Sequence, residues 1–140
     1  MGLIYLDTCL VVYAVEEHPG YADRVRAAMR DGAGRLAISD LVRLECLVGP
    51  ERRGDLALVE RYSRVLDDLI SLNLTSEVYA RATLLRARFD LRTPDALHLA
   101  CAQHHGCEAL WTNDNRLAAA AHGLARSIIA APPTPYSPAR

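Results

Sequence analysis

The chain contains no lysine; all 16 of its basic residues are arginine. That is a habit of composition and points to no activity. An excess of charge of one sign is also lacking, with 16 basic against 17 acidic residues and a formal net charge of −1. The overall basic excess of many nucleic-acid binders is therefore missing, and any such binding must come from a local patch. Cysteine is limited to Cys9, Cys46, Cys101 and Cys107, with no CxxC pair among them. No uncharged apolar run approaches the roughly 18 residues a membrane span needs. Asp7 interrupts the only N-terminal apolar run, and no basic segment precedes it as in a secretory leader. No internal repeat is evident. These absences lead us to expect a cytoplasmic protein with reduced thiols. What is present suits one soluble domain: 140 residues, 51% apolar and 24% charged. We expect a domain over residues 1–130 and an extended or disordered Pro-rich tail over 131–140.

Short apolar runs alternate with helical patterns. Leu3–Leu6, Leu36–Ile38, Ile70–Leu74, Ala109–Trp111 and Ser127–Ile129 suit strands. Helices are expected from Cys9 to Glu17, then to about Arg30. A third starts from a Ser39 or Asp40 cap and stops at Gly49-Pro50. Others cover Asp55–Leu69, a stretch from a Ser76 cap to Phe89, a stretch from a Thr93 cap with Pro94 at the first helical position to near Gly106, and Asn115–Ala121. Such alternation predicts an α/β domain with a mainly parallel sheet. Ligands in these sheets bind beyond the carboxyl ends of the strands, where strand order reverses.

Four acids stand in places that invite that chemistry. Asp7 directly follows the first strand, where, taken alone, a helix cap is the better explanation. Glu45 has Leu41, Val42 and Val48 at helical spacing, so its carboxylate lies on an apolar stripe. Either an arginine pairs with it in the interior or it belongs to a site. Asp95 lies in the first turn of an almost wholly apolar helix, where the helix dipole favours it. Asp114 follows the fourth strand and also suits a turn. Together, these positions can converge on one sheet edge. Two carboxylates about 4 Å apart repel by about 4 kcal/mol at an effective dielectric of about 20. A hard divalent cation removes that penalty, and all-oxygen ligation selects Mg²⁺ or Mn²⁺. Such an ion can polarise a phosphoryl oxygen and activate a water for in-line attack.

The segments Ile4-Tyr5-Leu6-Asp7-Thr8, Glu45, Thr93-Pro94-Asp95-Ala96-Leu97-His98-Leu99-Ala100 and Thr112-Asn113-Asp114 together resemble the PIN-domain ribonucleases. The nearest likeness is to the VapC-type toxins of bacterial toxin–antitoxin pairs, over Leu3 to about Ile129. The resemblance implies a three-layer α/β/α fold with a five-stranded sheet of order 3-2-1-4-5. It implies Mg²⁺- or Mn²⁺-dependent endonucleolytic cleavage of RNA, leaving a 5′-phosphate and a 3′-hydroxyl. Asp7, Glu45, Asp95 and Asp114 would hold the metal, and Thr8 would contact its bound water. Thr112 and Asn113 would be secondary substrate contacts. Many relatives carry a further acid where this chain has Arg116, which argues against a second well-formed metal site. A small antitoxin that occludes the acidic site and a homodimer are implied as well.

Arginines offer phosphate contacts, with Arg116 the strongest candidate because it adjoins Asp114; Arg52, Arg53, Arg81, Arg88 and Arg92 are weaker. The large apolar residues of the first two helices suit either core packing or a groove for a partner helix. Three other readings compete. His98, Cys101 and His104, with His105 and Cys107 nearby, suggest zinc, but the first and last lie about 120° apart around the helix, so the three converge poorly, and a core histidine with a buried cysteine is the competing explanation. An aspartyl phosphatase typically needs a second acid two residues after the first, where this chain has Cys9. A PIN-like module that binds without cleaving remains a third.

Overall fold

The computed structural model describes residues 2–126. The elements in order are β1 (Ile4–Leu6), α1 (Thr8–Val15), α2 (Ala22–Asp31), β2 (Leu36–Ile38), α3 (Asp40–Arg53) and α4 (Leu56–Asp67). After these come β3 (Ile70–Ser71), α5 (Ser76–Arg88), α6 (Thr93–His104), β4 (Ala109–Trp111), α7 (Asn115–Ala120) and β5 (Ala125–Arg126). The sheet order is β3-β2-β1-β4-β5 and every pairing is parallel. The chain builds outward from β1 through β2 to β3, then crosses back to lay β4 on the other side of β1. Right-handed crossovers put the connecting helices of the two halves on opposite faces. Accordingly α1 packs with α2, α3 and α4, while α6 packs with α5 and α7.

β1 is buried throughout because it is the middle strand of a covered sheet. Its register sets Tyr5 opposite Leu110 and Leu6 opposite Trp111. The Asp7 N–H then donates to the Trp111 carbonyl at 2.9 Å, so the carboxyl ends of β1 and β4 are tied at the switch point. α6 lies against this centre, with every residue from Asp95 to Ala102 buried. Its alanines let the backbone approach the sheet closely.

Four expectations are corrected. α3 does not stop at Gly49-Pro50; it carries a buried Pro50 in its last turns and ends at Gly54. Gly54 adopts φ 66°, its N–H donates to Glu51 O at 3.1 Å, and the Asp55 N–H donates to Pro50 O at 2.9 Å. That pair of bonds is a Schellman stop, and glycine is the residue it requires. Thr75, not Ser76, caps α5 through its hydroxyl. Arg92, not Thr93, occupies the cap position of α6, which places Thr93 and Pro94 inside the first turn. The third strand is only two residues long, as befits an exposed edge. The expected fifth strand at Ser127–Ile129 and the 131–140 tail lie outside the described residues; the described part of that strand is Ala125–Arg126. Among the described residues no helix is long and apolar enough to cross a membrane.

Candidate active site

Beyond the carboxyl ends of β1 and β4 opens a cavity of about 550 Å³. Asp7, Glu45, Asp95 and Asp114 all line it, together with Thr8, Asn113, Arg92 and Arg116. Four stretches of chain thus bring one acid each to the sheet edge, as their positions in the sequence suggested.

Asp7 caps α1. Its Oδ1 accepts from the Thr8 N–H at 2.8 Å and its Oδ2 from the Thr112 hydroxyl at 2.6 Å. Thr112 is 1% exposed, and its oxygen also accepts from the Asp114 N–H at 3.0 Å. The expectation that Thr112 contacts substrate is therefore corrected: it is a buried brace between the two strand-end acids. Asn113 does reach the cavity and donates to the Tyr13 hydroxyl at 3.2 Å. Asp114 caps α7, with Oδ1 accepting from the N–H groups of Arg116 at 2.9 Å and Leu117 at 3.3 Å. For Asp7 and Asp114 the capping role and the place at the cavity coincide.

Glu45 sits beside the buried stripe of α3 (Val42, Cys46 and Pro50), with its side chain 29% exposed. Val48, expected on that stripe, is exposed. The partner that compensates Glu45 is not an arginine. Its Oε1 accepts from the Thr8 hydroxyl at 2.7 Å and from His98 Nε2 at 2.6 Å. Thr8, expected beside a metal-bound water, is thus an anchor of Glu45. Partial burial raises the Glu45 carboxyl, but the bonds from His98 and Thr8 outweigh it and hold the group below its ordinary range.

His98 is 1% exposed on α6. Its Nδ1 lies 2.8 Å from the Tyr5 hydroxyl, which lies 2.8 Å from Ser39 Oγ. An ionised carboxylate only accepts, so Nε2 carries the hydrogen. Burial pushes the Tyr5 phenol well above its ordinary value, which keeps that hydroxyl protonated. The result is a buried chain of hydrogen bonds through Ser39, Tyr5, His98 and Glu45, with Nε2 donating to the carboxylate. Reading His98 as a core histidine was right as to burial, but its bond to Glu45 across 53 residues was not foreseen. The only signal for it was a histidine in an otherwise apolar, buried helix.

Asp95 is in the first turn of α6, its side chain 11% exposed, and its Oδ2 accepts from Arg92 Nε at 3.1 Å. Arg116 is exposed at the cavity wall. Cys9 Sγ lies 3.9 Å from Asp7 Oδ2, and burial with the nearby Asp7 raises its thiol to about 12, so it is no nucleophile at neutral pH.

The zinc reading fails on geometry. His98 is engaged with Glu45 and Tyr5, Cys101 is in the core, and His105 Nε2 bonds the Asn73 carbonyl at 2.8 Å. The four carboxylates line one cavity without closing on a single point. Among the described residues no three His, Cys, Asp or Glu side chains form a ready cation cage. Asp95 is turned to Arg92, and one oxygen of each of Glu45 and Asp114 is committed to the protein. The donor chemistry nevertheless suits a hard ion: Oε2 of Glu45, Oδ1 of Asp95 and Oδ2 of Asp114 take no hydrogen bond among the described residues. Mg²⁺ is commonly held by one or two carboxylates and several waters, which this open set fits.

Comparison with known proteins agrees with this architecture. The PIN domain pattern matches residues 4–123. Ribonuclease VapC46 of Mycobacterium tuberculosis is 34% identical over 132 residues, 93% of this chain and 98% of that protein. Among solved structures, VapBC2 from Rickettsia felis bound to a DNA fragment from its promoter aligns with a TM-score of 0.77 at 19% identity, over 89% of this chain and 98% of the other. A toxin–antitoxin complex from Klebsiella pneumoniae aligns with a TM-score of 0.75 at 22% identity, over 89% and 97%. Those two likenesses are of fold. A domain match over most of the chain, joined to a full-length relative at that identity, makes this chain a member of the PIN-domain family.

Proposed function

We propose that the chain is a Mg²⁺- or Mn²⁺-dependent RNA endonuclease and the toxin of a toxin–antitoxin pair. The observation that carries this reading is the sharing of one cavity by Asp7, Glu45, Asp95 and Asp114 at the switch point of a parallel sheet. The ribonuclease named among its relatives supports the activity, and the toxin–antitoxin complexes among its structural neighbours support the partner.

Bound among these carboxylates, a hard divalent ion would supply charge neutralisation and Lewis acidity toward a phosphodiester. The chain's own residues do the positioning. Thr112 fixes Asp7 against Asp114, and His98 with Thr8 fixes Glu45. The free oxygens of Glu45 and Asp114 can accept hydrogen bonds from an attacking water and orient it. Arg116 and Asn113 stand at the wall to receive the RNA backbone. In-line attack would form a bond from the water oxygen to phosphorus as the bond to the 3′ oxygen breaks; the water gives up a proton to solvent and the 3′ oxygen takes one up, leaving a 5′-phosphate and a 3′-hydroxyl.

A second groove suits the protein partner. Ala14, Val15, Met29 and Val65 floor a cavity of about 410 Å³ between α1, α2 and α4, rimmed by Arg26, Arg30, Arg61 and Arg64. An amphipathic acidic segment of an antitoxin matches that pattern. The same reading carries a homodimer and a cytoplasmic setting.

The test is cleavage of RNA with Mg²⁺ or Mn²⁺, with EDTA, and with Asp7→Asn and Asp95→Asn. Cleavage should need the metal and fail in both variants. Metal-dependent RNA binding without cleavage by the wild type would instead favour a non-cleaving module.

A further inference from the structure

Arg92 stands in an unusual place. It occupies the cap position of α6, where serine, threonine, asparagine or aspartate is the usual choice. It makes no side-chain capping bond there. A cation at a helix N-terminus also opposes the helix dipole. Neither capping nor the dipole therefore accounts for this arginine. Among the described residues its one ion pair is with Asp95, three residues on, through Nε alone at 3.1 Å. The guanidinium is 70% exposed while the carboxylate is 11% exposed. Nη1 and Nη2 make no hydrogen bond among the described residues. The guanidinium thus lines the acid cavity, close enough to Asp114 and Glu45 to feel both charges, with its two best phosphate donors free.

An exposed pair of this kind is weak and easily exchanged. A divalent ion competes for Asp95 with a charge of +2 against +1. Once displaced, a guanidinium at the rim of this cavity has an obvious new partner, since its paired N–H groups match a phosphodiester's oxygens. Arg116, on α7, lines the same cavity, so an RNA backbone entering it would meet guanidinium on two elements.

We propose that Arg92 is an exchangeable phosphate ligand: it holds Asp95 in the free chain and passes to the RNA backbone when a divalent cation takes that carboxylate. This rests on the reading of the cavity as an RNA-binding, metal-dependent site. It goes further by giving one residue opposite effects on the two ligands, and it accounts for the absence of a preformed cation cage.

The experiment uses the full chain, as wild type, Arg92→Ala and Arg92→Lys. Mn²⁺ binding without RNA is read by electron paramagnetic resonance of the free ion. Binding of a fluorescein-labelled, mixed-sequence single-stranded RNA is read by anisotropy, in EDTA and in Ca²⁺, a hard ion for the same oxygens. Arg92→Ala should tighten Mn²⁺ about two- to fivefold, the scale of an exposed ion pair. It should weaken RNA binding in Ca²⁺ about tenfold, with a salt slope lower by about 0.7, one phosphate contact. In EDTA it should change RNA binding little. Arg92→Lys should keep the salt slope but recover only part of the affinity. Equal loss of RNA binding in EDTA and Ca²⁺, no loss in either, or weaker Mn²⁺ binding by Arg92→Ala would each overturn the exchange. Wild-type cleavage in Mn²⁺ reports on the nuclease reading separately; its absence, with the Arg92 effects intact, would remove cleavage and keep the exchange.

Discussion

His98→Ala is the most informative single change for the buried scaffold. It deletes an imidazole that is 1% exposed and bonds Glu45 at 2.6 Å and Tyr5 at 2.8 Å. The bond to the carboxylate is charge-assisted and contributes about 1.5–3 kcal/mol; the phenol bond contributes about 1 kcal/mol. A cavity against Tyr5 adds to the loss. The sum is roughly 3–5 kcal/mol, a large share of the roughly 5–15 kcal/mol stability of an ordinary domain. At about 4 °C per kcal/mol the melting temperature should fall by about 10–20 °C. His98→Gln, which keeps one donor and one acceptor, should recover a good part. Urea denaturation of His98→Ala, Glu45→Gln and the double variant gives the coupling directly, and it should be about 1.5–3 kcal/mol. Strict additivity, or a loss below about 1 kcal/mol in His98→Ala, would refute the bond from His98 as the anchor of Glu45.

Thr112→Val keeps the shape of a buried residue but removes the hydroxyl that donates to Asp7 and accepts from the Asp114 N–H. It should cost about 2–4 kcal/mol by urea denaturation and reduce RNA cleavage, and an unchanged midpoint would count against the brace. The thiols set an alkaline limit. Burial raises Cys9, Cys46 and Cys101 to about 12 and Cys107 to about 11, against an ordinary 9.0. A folded value raised above the unfolded one gives stability that is complete below about pH 9 and lost as pH rises toward 11–12. Denaturation midpoints should fall over that window, and less steeply when the four cysteines are replaced by alanine. In the native protein at pH 8 all four should react slowly with a disulfide reagent, and rapid labelling of Cys46 or Cys101 would contradict their burial.

The parts of the fold set by local pattern were legible. Leu36–Ile38 and Ala109–Trp111 are strands to the residue because each is a short apolar run with turn formers or polar residues on both sides. Asp7 and Asp114 were legible as strand-end acids for the same reason. The stop of α3 was misplaced because Pro50 reads as a breaker, while its burial and the left-handed Gly54 decide the matter in three dimensions. The partners of Glu45 were not legible. A helical stripe tells that a carboxylate is half inside, but not which helix faces it, and Tyr5 and His98 are separated by 93 residues. Arg92 counted only among the weaker phosphate contacts, since nothing in the sequence marks it as the cap of α6 at the rim of the acid cavity.

The central claim is that four carboxylates from separate segments act as one cation-binding unit. Electron paramagnetic resonance titration of Mn²⁺ against the wild type and against Asp7→Asn, Glu45→Gln, Asp95→Asn and Asp114→Asn tests it without reference to any substrate. The claim requires one binding event in the wild type, weakened by each of the four substitutions in chains that remain folded. Mn²⁺ binding that is absent in the wild type, or indifferent to the substitutions, would contradict it.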